Sequence, residues 1–260
     1  MIAKANMKRL FDVEALRRRC EQSIDEIMAE GVVVENELGR KHSLVDRGGR
    51  VLVVAHCDFV EDLGENFSVV ELKSDTLVFC PKLDDRLGVY LALDFLPRAG
   101  IVADVLLTED EEVGRSTAED FVPNKAYNWI AGLDRRGTDV VVYQYLDPEF
   151  EDLLFDYFES VGGGTFSDIS SMERLGIKAF NLGIGFSAEH SEVCHCSVGD
   201  CMKQMERFIS FHEDMEGVEL PHDPGIWEEE WVEECALCGV ALYPNETTFC
   251  SDCVVACGLT

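Results

Sequence analysis

The sequence predicts a three-layer α/β/α domain with a mostly parallel central sheet, followed by a small cysteine module. Three observations carry this expectation. Unbroken apolar runs have strand length, amphipathic segments separate them, and 260 residues suit one substantial domain plus an appendage. Apolar residues make up 47% of the chain, ample for a packed core.

A first amphipathic helix is predicted from Asp12, a suitable N-cap. Val13, Leu16, Cys20, Ile24 and Ile27 form one apolar stripe, and Gly31 supplies the stop. Val32-Val33-Val34 and Ser43-Leu44-Val45 read as a strand pair connected through Gly39. The runs at 51–55, 102–107, 129–133 and 179–182 read as parallel strands, because strands covered on both faces lose the alternation of a half-exposed sheet. Helical segments are predicted between them at 85–95, 116–121 and 149–158. A final helix is predicted from Asp200, with Cys201, Met202, Met205, Phe208 and Ile209 inward. No internal repeat is evident.

The pattern decays after residue 212. Residues 1–212 are expected to form the main domain and 213–231 an acidic linker, with a turn at Asp223-Pro224-Gly225 and glutamates around Trp231. Residues 232–260 form a separate module. Its two Cys-x-x-Cys pairs, Cys235/Cys238 and Cys250/Cys253, have the spacing of a structural zinc ribbon, in which a tetrahedral thiolate site replaces a hydrophobic core. An iron site of rubredoxin type would satisfy the same ligands. Cys257 is left as a spare thiol. Cys194, Cys196 and Cys201, irregularly spaced around His195, read as buried thiols rather than a further metal site.

Charge limits the partners. Acidic residues outnumber basic ones 51 to 22, for a formal charge of −29. Such a surface repels phosphate backbones and anionic lipid, so neither a nucleic acid nor a membrane is expected as partner. Most of the excess serves solubility, and bound divalent cations would offset a few charges. No window approaches the ~20 apolar residues of a membrane span, and the start does not read as a secretory signal. Eleven cysteines in such a chain point to metal rather than a disulfide framework, and a cytoplasmic location is expected.

The informative fact is where acids and histidines sit. In open α/β sheets, ligands bind beyond the carboxyl ends of the strands. The first parallel run ends at His56, followed by Asp58. The second ends in Glu109-Asp110-Glu111-Glu112, and the third at Asp134. The fourth leads through a short loop to His190, and Asp84-Asp85 precedes a helix. Singly, each has an ordinary explanation as a cap or a solvated side chain. Together they place oxygen and imidazole donors along one edge.

These motifs resemble those of the co-catalytic zinc exopeptidases, the superfamily of aminopeptidases and carboxypeptidases built around two metal ions. The matching pieces, in the family's order, are Ala55-His56-Cys57-Asp58, Leu83-Asp84-Asp85-Arg86-Leu87-Gly88, Glu111-Glu112-Val113-Gly114, Gly132-Leu133-Asp134 and Ala188-Glu189-His190-Ser191. They cover about residues 8 to 212. The resemblance implies that Asp84 bridges two zinc or other divalent ions, that His56 and Asp134 complete one site, and that Glu112 and His190 complete the other. It further implies that Asp58 hydrogen-bonds His56, that a cis peptide between Asp84 and Asp85 aims the bridging carboxylate, and that Glu111 is the general base.

The resemblance implies a metal-dependent hydrolase of amide bonds, most simply an aminopeptidase-like exopeptidase acting on peptides. A carboxypeptidase or N-deacylase acting on N-acyl amino acids through the same site is the alternative within enzymes. A catalytically silent peptidase-like scaffold carrying a zinc-ribbon adaptor is the alternative outside them. Arg135 and Arg136 would either grip a substrate carboxylate or neutralise nearby acids. The segment 162–168, Thr165 included, is expected to line the pocket. The stretches 58–84 and 134–190 leave no room for an inserted lid domain, so the cleft should be open. Between Trp231 and the C-terminus there is no Lys or Arg, so the ribbon is expected to contact a protein if it has a partner.

Overall fold

A computed structural model describes residues 7–60, 63–64 and 66–224. The expected zinc-ribbon ligands Cys235, Cys238, Cys250 and Cys253, the spare Cys257 and residues 225–231 of the expected acidic linker lie outside the described residues.

Asp12 caps the second helix as expected, its side chain accepting from the backbone of Glu14 and Ala15. Helix α1 (Met7–Leu10) precedes it. The single predicted helix is in fact two, α2 (Val13–Glu21) and α3 (Ile24–Met28). Gln22 is extended, and Ser23 opens a new helix through a capping box with Glu26. The apolar stripe runs across the break, so periodicity alone could not detect it; the Ser-x-x-Glu capping signature marks it.

The main sheet has eight strands in the order β1-β2-β6-β3-β7-β10-β8-β9. The predicted runs supply its centre: β3 (Val51–His56), β6 (Asp104–Thr108), β7 (Trp129–Arg135) and β10 (Ala179–Gly183), paired in parallel. The predicted pair β1 (Val32–Glu35) and β2 (Lys41–Val45) is antiparallel, closing one edge, with Gly39 at φ +79° in its turn. On the other side, β8 (Val140–Val141) runs antiparallel to β10 and pairs with β9 (Val161–Gly162).

Strand alternation assigns the two covering layers. Gly132 and its partner Asn181 face the 3₁₀ segment Asp168–Leu175, where Ile169 lies against Gly132. Trp129 and Phe180 face the opposite way. Both meet Phe211 of α7 (Val198–Met215) edge to face, with ring centroids 4.9 and 5.3 Å from it. Among the described residues no helix is long and apolar enough to cross a membrane.

A second, antiparallel sheet was not anticipated. It has the order β11-β12-β5-β4, built from the hairpin β4 (Ser68–Glu71) and β5 (Thr76–Phe79) with β11 (Phe186–Ser187) and β12 (His195–Ser197). It joins the chain before Asp84 to the chain around His190.

Helix α4 (Leu83–Tyr90) continues through a π-turn at Leu91–Phe95 into α5 (Leu96–Arg98). Pro97 lacks an N–H and its ring crowds the preceding turn, so a wider turn there relieves the conflict. Helix α6 (Pro148–Phe155) is capped by Asp147. The expected helix at 116–121 is a 3₁₀ turn, Thr117–Asp120.

The expected domain end at 212 falls inside α7. The chain then returns along the body: Lys178 donates its N–H to Leu220, Leu220 to Asn128, and His222 to Gly176. Residues 213–222 are thus part of the folded body and not a linker. Acidic composition hid this, because backbone pairing and the burial of His222 hold the segment.

Candidate active site

The carboxyl ends of β3, β6 and β7 and the loop after β10 converge on one cavity of about 300 Å³. His56, the last residue of β3, is fully buried. Its Nδ1 lies 3.1 Å from the backbone carbonyl of Asp58 and 3.4 Å from that residue's carboxylate. A carbonyl only accepts, so Nδ1 carries the proton and Nε2 is turned towards the acids. Nε2 lies 3.1 Å from Asp134 Oδ1 and 3.3 Å from Asp84 Oδ1.

Asp84 divides its oxygens. While Oδ1 faces His56, Oδ2 lies 3.3 Å from His190 Nε2, which is also 2.9 Å from Glu112 Oε2. Two trios result, His56/Asp84/Asp134 and Asp84/Glu112/His190, each with donor atoms within 4.8 Å of one another. The Asp84–Asp85 peptide is cis. Asp85 turns away from the cavity, fully buried, and accepts from the Gly88 N–H at 3.0 Å. Gly88 is needed for close approach: a Cβ there would overlap the Leu133 carbonyl and the Asp85 carboxylate.

Glu111 belongs to neither trio. It follows β6 in a 3₁₀ turn, Glu111–Val113, reaches within 3.9 Å of His56 Nε2, and lines the cavity. Asp110, at φ +68°, opens that turn, and Gly114, at φ +69°, closes it. Asp58 steadies the turn by accepting from the backbone N–H of Glu112 at 3.1 Å.

The electrostatics describe a site built for positive charge. Four carboxylates, Asp84, Glu111, Glu112 and Asp134, crowd together, and the ion-pair contacts drawn to them come from His56 and His190. Burial, reinforced by neighbouring acids and partly offset by His56, pushes Glu111 up to about 8 and Asp134 up to about 7. Burial also opposes ionisation of Asp84, but hydrogen bonds from His190 and His56 outweigh it and hold its pKa low. Burial likewise disfavours a charged His56, yet Asp134, Asp58 and Asp84 raise its pKa well above the usual value. His190 is raised to about 9, chiefly by Asp84. Glu112 Oε1 is buried without a hydrogen-bond partner. Mixed imidazole and carboxylate donors, an orphan oxygen and an excess of negative charge fit two divalent cations sharing Asp84.

Other expected residues are placed less simply. Arg135 and Arg136 line the cavity, but Arg135 pairs with Asp139 at 3.0 Å and Arg136 pairs with Glu189. Thr165 is exposed and does not line the cavity; Phe166 beside it does. Cys194, Cys196 and Cys201 are buried free thiols, and no metal cluster forms around them among the described residues. The expected structural-zinc ligands Cys235, Cys238, Cys250 and Cys253 lie outside the described residues; among those described, the two clusters around Asp84 are the groups that could hold a metal ion.

Several contributors were not expected. Tyr143, Asn181, Phe186 and Glu189 complete the cavity wall. Asp168, almost fully buried, accepts from Thr108 Oγ1 at 2.7 Å and from Ser116 Oγ, clamping the loop that carries Glu111 from both ends. The one available signal was an asparagine in the apolar run at 179–182, since an amide in a strand covered on both faces needs buried partners.

No protein-family model matches the sequence, and no curated protein sequence matches it. Solved structures do match. An aminopeptidase PepT from Bacillus cereus superposes with a TM-score of 0.56 at 10% identity, covering 80% of this chain and 99% of that one. A tripeptidase from Staphylococcus aureus gives 0.56 at 10% identity, covering 81% and 99%. An aminopeptidase from the archaeon Desulfurococcus kamchatkensis gives 0.53 at 14% identity, covering 79% and 98%.

This is the co-catalytic zinc exopeptidase fold. The resemblance carried by the sequence motifs therefore holds at the level of the fold. In this fold His56 and Asp134 sit at strand ends, Glu112 and His190 in loops, and Asp84 at the start of α4, so the five donors meet beside the cavity while Asp85 points away from it.

Proposed function

We propose that the chain is a two-metal aminopeptidase, hydrolysing the first peptide bond of peptides or small amides. The observation that carries this reading is the division of Asp84 between two donor trios, with Glu111 outside both yet in the same cavity. His56, Asp84 and Asp134 would hold one ion, and Asp84, Glu112 and His190 the other. Zinc suits these donors. Two such ions supply Lewis acidity, bringing the pKa of water towards 7 and polarising the acyl oxygen.

The chain's own groups do the rest. Glu111, as carboxylate, accepts the proton of the attacking water and delivers it to the departing amine. The Asp58 carbonyl keeps His56 in the tautomer whose Nε2 faces the cavity. Asp168 and Asp58 hold the loop that presents Glu111.

Pairing of both arginines supports the aminopeptidase reading over the carboxypeptidase or N-deacylase alternative, since neither guanidinium is left free to grip a substrate carboxylate. The complete donor set with its base weighs against a silent scaffold. Cys235, Cys238, Cys250 and Cys253 would take a third, structural zinc on the strength of their spacing.

The test is hydrolysis of aminoacyl and N-acyl substrates by the purified full chain, with Glu111→Gln as control and metal content measured beside it. Three ions per chain are expected, falling to two when the chain stops before Trp231, and Glu111→Gln should lower kcat by at least about 10³-fold. Unchanged activity in Glu111→Gln would remove that residue from the mechanism. Hydrolysis of N-acyl substrates alone would favour the deacylase.

A further inference from the structure

The cavity holds a phenol that no sequence motif singles out. Tyr143 lines it together with Asp84, Glu111 and Asp134. Its backbone has φ +45°, in the left-handed region that a bulky residue rarely enters, and such conformations cluster at functional sites. Its ring packs directly on Gly164, where a Cβ would fall 2.7 Å from Tyr143 Cε1. The ring is thus held in place from both ends, by its own backbone and by a neighbour without a side chain.

The Asn181 side of the hydrogen bonding around it can be assigned, while Ser167, whose hydroxyl can donate or accept, is the phenol's other polar neighbour. The backbone N–H of Asp134 donates to Asn181 Oδ1 at 3.1 Å. A backbone N–H can only donate, so that atom of Asn181 is the oxygen and the other is the amide nitrogen. This nitrogen donates to Tyr143 Oη at 3.2 Å and to Ser167 Oγ at 3.1 Å. Tyr143 Oη is therefore an acceptor towards Asn181, and its own proton is not used in that bond. Burial raises the Tyr143 pKa, so the proton stays on at neutral pH.

We propose that Tyr143 is a catalytic residue whose O–H donates a hydrogen bond to the acyl oxygen of the bound amide as that oxygen gains negative charge. This rests on the amide-hydrolase reading of the same cavity. In the addition step, the water oxygen bonds to the acyl carbon, the C=O π pair moves onto the acyl oxygen, and the water proton passes to Glu111. On collapse that pair re-forms C=O, the C–N bond breaks, and the nitrogen takes the proton from Glu111. Tyr143 transfers no proton in either step; its hydrogen bond strengthens with the charge and relaxes with it. The Asp134–Asn181–Tyr143 chain ties the donor's position to the same strand end that carries a cation-holding acid.

The experiment compares the full-length wild type with Tyr143→Phe, which keeps the ring and its packing. Readouts are kcat and KM on an aminoacyl amide, melting temperature, and inhibition by two probes. One is a phosphinic peptide analogue, whose charged oxygen imitates the developing oxyanion; the other is the free amino-acid product. Tyr143→Phe should lower kcat about 10²-fold and leave KM within about twofold. It should weaken the phosphinic analogue at least tenfold while leaving product inhibition and melting temperature unchanged. A wild-type rate in Tyr143→Phe overturns the proposal, as does a loss confined to KM or parallel losses for both probes, which would mark a packing role. A wild-type chain that cleaves no amide removes the hydrolase reading itself, and this inference with it.

Discussion

Asp58 accepts the backbone N–H of Glu112 at 3.1 Å while its own carbonyl takes the Nδ1 of His56, so one residue steadies a member of each donor trio. Asp58→Asn keeps the carbonyl but weakens the charged acceptor that holds the Glu112 turn. Metal affinity should drop about 10- to 100-fold, the usual effect of losing such a support. Titration with a competing chelator measures it, and affinity equal to wild type would show that the carboxylate has no part in holding the turn.

Gly88→Ala should be far more damaging than its size suggests. The added methyl would collide with the Leu133 carbonyl and the Asp85 carboxylate, pushing apart the segments that carry Asp84 and Asp134. Soluble yield and metal content should both collapse. A soluble, fully loaded protein would mean that the helix–strand contact is looser than described.

Away from the cavity, Asp104 is a buried hub on β6. It pairs with Lys125 at 2.6 Å, accepts from Tyr127 at 2.8 Å, and accepts the backbone N–H groups of Arg47 and Gly49 at 2.9 Å. Asp104→Ala strands three donors, the Tyr127 hydroxyl and the two backbone N–H groups, and leaves Lys125 to Asp46 alone, so it should cost about 3–5 kcal/mol in urea unfolding, with kcat per folded molecule unchanged. A loss below about 1 kcal/mol would mean that water replaces the carboxylate there.

Acid should destabilise the fold partly through His42. Burial against Phe121 lowers its pKa, with Asp120 opposing and Arg174 assisting. A folded-state pKa below the unfolded one means that stability is present above the unfolded value of about 6.5 and is lost as pH falls through the folded value. His212, lowered mainly by burial, acts in the same direction. Melting temperatures at pH 7.5 and 5.0 should therefore converge somewhat in His42→Leu relative to wild type. Identical pH dependence in the two proteins would show that His42 does not titrate in this window.

The central strands were legible because each is buried on both faces and so reads as an uninterrupted apolar run. The donor residues were legible because they follow those runs directly. His56 and Asp134 needed only their position at a strand end. Tyr143 and Asn181 were not legible: one sits in a short 3₁₀ turn just after β8 and the other mid-strand, and only the pairing of β10 with β8 brings them together. Thr165 is exposed away from the cavity, and the neighbouring Phe166, itself partly exposed, lines it instead. The second sheet escaped notice because β11 and β12 are two and three residues long, below the length at which alternation can be read.

The two imidazoles differ sharply in access: the His56 side chain has no exposed surface, whereas that of His190 is 52% exposed. Ions held by such unequal doors would not leave together. Mild chelation should first strip the position at the rim, giving a half-loaded species, and the inner ion should follow only on a slower timescale set by opening of the sheet edge. A chain with one metal would then be a kinetic consequence of architecture rather than a difference in intrinsic affinity.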